Sequence, residues 1–310
     1  MSGAAMGPGE EFDIIRSLVR GWGERAADIG DDAAVVRVPD GMRLVATTDA
    51  AVDRVHFRRD WCSPDEIGYR ATIAAVSDIA AMAATPLGVL VAIAMPDDCR
   101  RLVGQLGRGI GDAAAACDTV ILGGNLARAG ELALTTTVLG YVRAPLPRSG
   151  ASEGDVVYVT GRFGGPAAAV REWTAGRQPS REARARYVRP VARLREARWL
   201  AKRGATAAID ISDGLLGDLE HLAHASRVRL EIVLDALPII DSEEIADAAR
   251  GGDEYELAIT APADLDVAAF VAAFDVPLTR IGIVHAGMPT VDATLAGTRV
   301  APGGGWDHFS

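Results

Sequence analysis

Apolar positions recur along the chain with two periods, 3.6 and 2, which take turns from one end to the other. Phe12, Ile15, Leu18 and Val19 share one side of a helix expected over Glu10–Arg20, and alternation over Arg43–Asp49 predicts a strand. A run of small residues that includes Ala71, Ala74, Ala75, Ala80, Ala81, Ala83 and Ala84 predicts a closely packed helix over Asp65–Thr85. Strand-like runs at Leu87–Ala94, Thr119–Leu122 and Glu131–Val142, with a helix over Asp97–Cys117, complete a first half. Arg143–Arg148, with two prolines, reads as a linker.

The second half repeats the alternation. Strands are expected at Asp155–Thr160, Ala207–Ile211, Val228–Leu234 and Leu257–Thr260, and helices from Pro166, after Gly214 and over Ser242–Arg250. The Arg-rich stretch Arg171–Arg203 reads as the solvated face of two helices. This pattern predicts a two-domain α+β or α/β chain, with residues 1–145 as an N-terminal domain and 146–310 as a C-terminal α/β layer domain.

Composition narrows the partners. The 310 residues are 49% hydrophobic and 24% charged, enough for packed cores, and the net charge of −10 argues against nucleic acid. Phosphate ligands would therefore need cations or Arg to offset their charge. Cys62, Cys99 and Cys117 show no CxxC spacing, which predicts reduced thiols in a cytoplasmic protein, and no run reaches membrane-spanning length. Small-molecule ligands are the expected partners.

Acids placed at the ends of apolar runs carry the chemistry. Asp210, Ser212 and Asp213 close a strand, with Asp213 where a helix N-cap belongs. Asp31 and Asp32 follow Gly30, Thr47, Thr48 and Asp49 end a strand, and Asp78 sits inside the small-residue helix. Each group taken alone also reads as a solvated turn or a cap; their recurrence suggests one highly charged ligand with Mg²⁺. Gly123-Gly124-Asn125 is expected as a turn whose N–H groups could face phosphate, and Gly161–Gly165 has the form of a phosphate loop but lacks the following Gly-Lys-Ser/Thr. His56, Asp253 after a double glycine, and Trp306 in a Gly-rich tail are further candidates.

Taken in order, GDDAAV at 30–35, TTD at 47–49, VHF at 55–57, SDIAAM at 77–82, GGN at 123–125, RSGASEGD at 148–155, IDISDGL at 209–215, GGDEYEL at 251–257 and GWDHF at 305–309 resemble the thiamine-monophosphate kinase family. The resemblance implies ATP-dependent phosphorylation of thiamine monophosphate to thiamine diphosphate with several Mg²⁺ ions. By it Asp32, Thr47, Thr48, Asp49, Asp78, Asn125, Asp210 and Asp213 match metal positions. Gly124, Asn125, Arg148 and Ser212 match ATP positions, and His56, Asp253 and Trp306 match substrate positions. It further implies a homodimer whose N-terminal sheets pair into a β-barrel. Asn125 stands where the family carries Asp, and Asp253-Glu254 exchanges the family's Glu-Asp order. A different phosphorylated acceptor, or nucleotide binding without transfer, therefore stays open as an alternative.

Overall fold

The computed structural model describes residues 9–26, 29, 32–240 and 243–301. They form two compact units: residues up to Ile79 with Ala84–Ala144, and Ala80–Ala83 with those from Pro145 onward.

The first unit contains α1 (Glu10–Trp22), β1 (Arg43–Val52), α2 (Pro64–Ala81), β2 (Thr85–Met95), α3 (Val103–Ala116), β3 (Ile121–Arg128) and β4 (Ala133–Val142). Its sheet runs β1-β4-β2-β3, with β2 and β3 parallel and the other neighbours antiparallel. Alternate residues Val89, Val91 and Ile93 of β2 and Leu134, Thr136 and Val138 of β4 are buried. α2 covers this face, with Ile79 against Gly140 and Asp78 bonded to Thr47. Leu90, Ala92, Thr137 and Leu139, on the opposite face, are only half-buried.

Two expectations are corrected here. The small-residue helix stops at Ala81, not Thr85, because Ala83 turns left-handed (φ 54°) and Ala84 N–H returns to Ile79 O. Gly123-Gly124-Asn125 is not a turn but lies inside β3, paired with Leu90, Val91 and Ala92. Strand contact dictates the glycine: a Cβ on Gly124 would stand 1.9 Å from Val91 O.

The second unit contains β5 (Val156–Thr160), α4 (Gly165–Thr174), α5 (Arg181–Val188), α6 (Leu194–Ala201), β6 (Ala207–Asp210), α7 (Leu215–Ser226), β7 (Arg229–Val233), α8 (Ile245–Ala248), β8 (Leu257–Ala261), α9 (Val267–Phe274), β9 (Leu278–His285), β10 (Thr290–Leu295) and β11 (Thr298–Val300). The sheet order is β11-β10-β7-β9-β5-β8-β6, antiparallel except for β10 beside β7. Period two divides its core: Val157, Val159 and Ile209 pack with Leu215, Leu219 and Leu222 of α7, while Val156, Tyr158 and Ala208 pack with Leu200 of α6 and Phe270 of α9. Helices thus cover both faces, and both sheets are open among the described residues. The helix expected over Ser242–Arg250 is only the single turn of α8.

Phe270 is fully buried, edge-on to Trp199 at 5.5 Å and tilted against Phe274 at 5.0 Å. Phe270→Ala is expected to lower unfolding free energy by about 3–5 kcal/mol. Urea denaturation checks this; a loss under about 1 kcal/mol would mean that the site collapses around the cavity.

Candidate active site

Two acidic motifs cross in the second unit. β6 pairs with β8 so that Asp210 lies opposite Leu257, and the pairing runs on beyond both strands. Ile211 N–H donates to Glu256 O (2.8 Å), Tyr255 N–H to Ile211 O (2.8 Å) and Asp253 N–H to Ser212 O (2.7 Å). A Cβ at Gly252 would stand 2.5 Å from Ser212 O, so Gly252 is what lets the segments meet. Asp253 and Tyr255 both take left-handed backbone, φ 66° and 53°, a strained pair of the kind found at functional loops. The Tyr255 hydroxyl donates to Asp253 Oδ1 at 3.1 Å.

The Ser212–Gly214 turn is capped from inside the following helix. Gly214, not Asp213, is the N-cap of α7, and no side chain at that position caps it. Instead one oxygen of Asp218, Oδ2, accepts the N–H groups of Ser212 (3.1 Å), Asp213 (3.2 Å) and Gly214 (3.2 Å). This assignment follows from helix geometry: Asp218 lies on the apolar face with Leu215 and Leu222, and is 3% exposed. Burial, then the charges of Asp213 and Asp210, push its pKa up to about 7 despite those hydrogen bonds.

The glycine loop after β5 is occupied by the protein's own acids. Glu254 Oε1 accepts Gly164 N–H at 2.5 Å, its Oε2 is buried without a hydrogen-bond partner, and burial raises its pKa well above the usual Glu range. Glu256 accepts the Thr160 hydroxyl (2.7 Å) and two N–H groups of Arg193, at 2.6 and 2.5 Å. The Arg-rich stretch is therefore not all solvated face. Arg193 is buried in this ion pair, and Arg186 donates to Arg162 O.

In the first unit, Asp32, Gly124 and Asn125 line one cavity of about 510 Å³, walled on another side by Phe12 and Trp22 of α1. That volume suits a nucleotide-sized molecule. The Trp22 indole is fixed by donating to Gly107 O (2.7 Å). On the sheet, Thr47 and Asp49 share one face and Thr48 the other: the Thr47 hydroxyl donates to Asp78 at 2.5 Å, while that of Thr48 meets Thr137 at 3.1 Å. His56 is half-buried and its Nδ1 accepts Val52 N–H at 3.1 Å, so the neutral ring carries its proton on Nε2. Arg148, in the second unit, has an exposed side chain, and its carbonyl accepts the Ser226 hydroxyl. Its backbone is thus anchored at the far end of α7 from Ser212, about 18 Å along the helix. Trp306 lies outside the described residues.

Among the described residues no three His, Cys, Asp or Glu side chains converge as a finished metal cage. The donor set nonetheless fits Mg²⁺, with oxygen donors at Thr47 with Asp78 and at Asp210 with Asp213. Burial is the larger cause of the raised Asp218 pKa; the charges of Asp213 and Asp210 add to it, and a cation would offset that second part. Sequence reading left Asp253, Glu254 and Glu256 open as a turn or a ligand-facing loop, and did not single out Asp218 or Tyr255. For Asp218 the signal was there: an acid on the apolar face of Leu-Leu-Gly-Asp-Leu.

Sequence comparison fits this two-unit arrangement. Residues 30–142 match the family model "AIR synthase related protein, N-terminal domain" and residues 152–291 the corresponding C-terminal domain. Thiamine-monophosphate kinase of Rhodopirellula baltica is 34% identical over 315 residues, 94% of each chain. That of Mycobacterium tuberculosis (strain ATCC 25618 / H37Rv) is 35% identical over 314 residues, 96% of this chain and 91% of its own. The chain belongs to the thiamine-monophosphate kinase family. The crystal structure of the Stenotrophomonas maltophilia K279a enzyme superposes with TM-score 0.82 at 32% identity, covering 94% of this chain and 98% of that one. AaThiL complexed with AMPPCP and TMP superposes with TM-score 0.77 at 27% identity, over 99% and 100%.

The raised pKa of Asp218 sets a pH dependence. Folded Asp218 keeps its proton to about pH 7, whereas the unfolded chain releases it near pH 4, so stability is full below about 4 and falls as pH rises to about 7. The slope attributable to Asp218 is at most about 1.4 kcal/mol per pH unit. Metal-free protein is therefore expected to melt at lower temperature at pH 7 than at pH 5, and Asp218→Asn to flatten that difference. Thermal scans in EDTA check it; an unchanged slope in the variant would remove Asp218 as the cause.

Proposed function

We propose that this chain transfers the γ-phosphoryl group of ATP to thiamine monophosphate, giving thiamine diphosphate. The observation that carries this reading is the crossing of the two acidic motifs, which crowds Asp210, Asp213 and Asp218 together in partly buried surroundings. Such crowding suits Mg²⁺-bound phosphates. Support comes from the relatives: AaThiL was solved with AMPPCP and TMP, and this chain is 34–35% identical to thiamine-monophosphate kinases over nearly its whole length.

Phosphoryl transfer depends on positioning and charge neutralisation more than on a covalent nucleophile. We assign Gly124, Asn125, Arg148 and Ser212 to ATP; the first two line the cavity of the first unit. Mg²⁺, when bound, neutralises phosphate charge, and Asp32, Thr47, Thr48, Asp49, Asp78, Asn125, Asp210 and Asp213 are the residues that would hold it. His56, offering an Nε2–H donor, with Asp253 and Trp306, would position thiamine monophosphate. The acceptor phosphate is largely ionised near neutral pH, so no strong base is needed. The family resemblance is what supports pairing of two copies through their N-terminal sheets into a barrel. No helix of the described residues is long and apolar enough to cross a membrane, and the three cysteines are free and buried, which supports a cytoplasmic setting.

A second reading rests on Asn125. A neutral amide at the cavity wall weakens one cation site, which favours a changed acceptor or nucleotide binding without transfer.

Mass-spectrometric detection of thiamine diphosphate after incubation with ATP, Mg²⁺ and thiamine monophosphate separates the two. Product above a no-enzyme control is the expected result; nucleotide binding without product would favour the second reading. Asp78→Ala is expected to fold and to lose at least about 10²-fold in kcat/KM. Activity near that of the parent would remove Asp78 from the site. Asn125→Asp is expected to lower the Mg²⁺ concentration giving half-maximal rate; no shift in a Mg²⁺ titration would place residue 125 outside the metal's reach.

A further inference from the structure

Three successive amides pointing at one spot, at the start of a helix, make a natural anion site. In the Ser212–Gly214 turn that spot is already taken by Asp218 Oδ2, which accepts all three at 3.1–3.2 Å. The amides are therefore not available to a substrate phosphate, and what the turn presents outward is its side chains. We propose that Asp218 is a positioning residue: by gathering the amides of Ser212, Asp213 and Gly214 it fixes the turn and so aims Asp213 at a divalent cation shared with Asp210, which the β6–β8 pairing holds. It acts through an acceptor oxygen, not through its charge and not as a ligand. The inference rests on the reading of Asp210 and Asp213 as metal ligands.

The geometry defines a chemical test. Asn at 218 keeps an oxygen that can accept the same amides and removes the charge; Ala removes both. Manganese binding to the purified full chain, followed by electron paramagnetic resonance of the free ion, reads the site without turnover, and circular dichroism and thermal melting report the fold. Asp218→Ala is expected to weaken Mn²⁺ by about 10–100-fold, the range for residues that orient metal ligands, with its fold retained. Asp218→Asn is expected to restore affinity to near the parent value. Should Asp218→Ala not fold, Asp218→Asn decides alone: affinity near the parent supports the proposal, and a loss as large as that of Asp213→Ala overturns it by making Asp218 a ligand. Parent-like affinity in a folded Asp218→Ala also overturns it. Asp210→Ala and Asp213→Ala separate the two levels. If they bind Mn²⁺ as the parent does, the ligand reading fails; if they lose it and Asp218→Ala does not, only the positioning role fails.

Discussion

A carboxylate withdrawn from water must be compensated by hydrogen-bond donors, a cation or a proton. The second unit contains acids in each condition, and their distribution organises it. Asp155 is met by Ser152 N–H and the Thr206 hydroxyl, and Glu256 by Thr160 and the Arg193 guanidinium. Glu254 has one oxygen on Gly164 N–H and the other unpartnered, and burial raises its pKa well above the usual Glu range. Asp218 takes three amides, and yet burial, and after it the charges of Asp213 and Asp210, raise its pKa. The compensated acids build the scaffold.

Much of this was legible in the sequence because its periods are clean. Val156–Thr160 and Leu257–Ala261 are short apolar strands bounded by polar residues, and Leu215–Ser226 follows a glycine with a helical apolar stripe. The misreadings have physical causes. Gly123-Gly124-Asn125 looked like a turn because glycine serves two purposes, and there it serves the approach of β3 to Val91 rather than a change of direction. Asp213 looked like an N-cap because a cap supplied from four residues inside the helix leaves no local signature at the cap itself. Arg193 looked solvated because its partner, Glu256, is 63 residues away in sequence. Pairings of that range cannot be read from local spacing.

Fold and site carry different information. The hydrogenase maturation protein HypE superposes on this chain with TM-score 0.81 at only 17% identity, almost the same superposition as the Stenotrophomonas enzyme gives at 32%. Backbone architecture is thus shared across proteins that differ widely in sequence, and it does not choose among their chemistries. What distinguishes this chain is the set of motifs written on that architecture. Within this chain the crossing of Ile209–Leu215 with Gly251–Leu257 is held by backbone bonds.

That backbone bonding bears on the exchange of acids at Asp253-Glu254. The segment is fixed by the N–H groups of Asp253 and Tyr255. The side chains then divide by direction: residue 253 is half-buried and bonded to the Tyr255 hydroxyl, while residue 254 points inward to the Gly164 amide. The longer acid at 254 gains one methylene of reach toward α4, and the shorter one at 253 draws its carboxylate back toward the chain. Lost reach at 253 therefore falls on the residue proposed to meet the substrate, whereas added reach at 254 bears on the packing of the glycine loop. The two halves of the exchange act on different parts of the molecule and need not compensate each other.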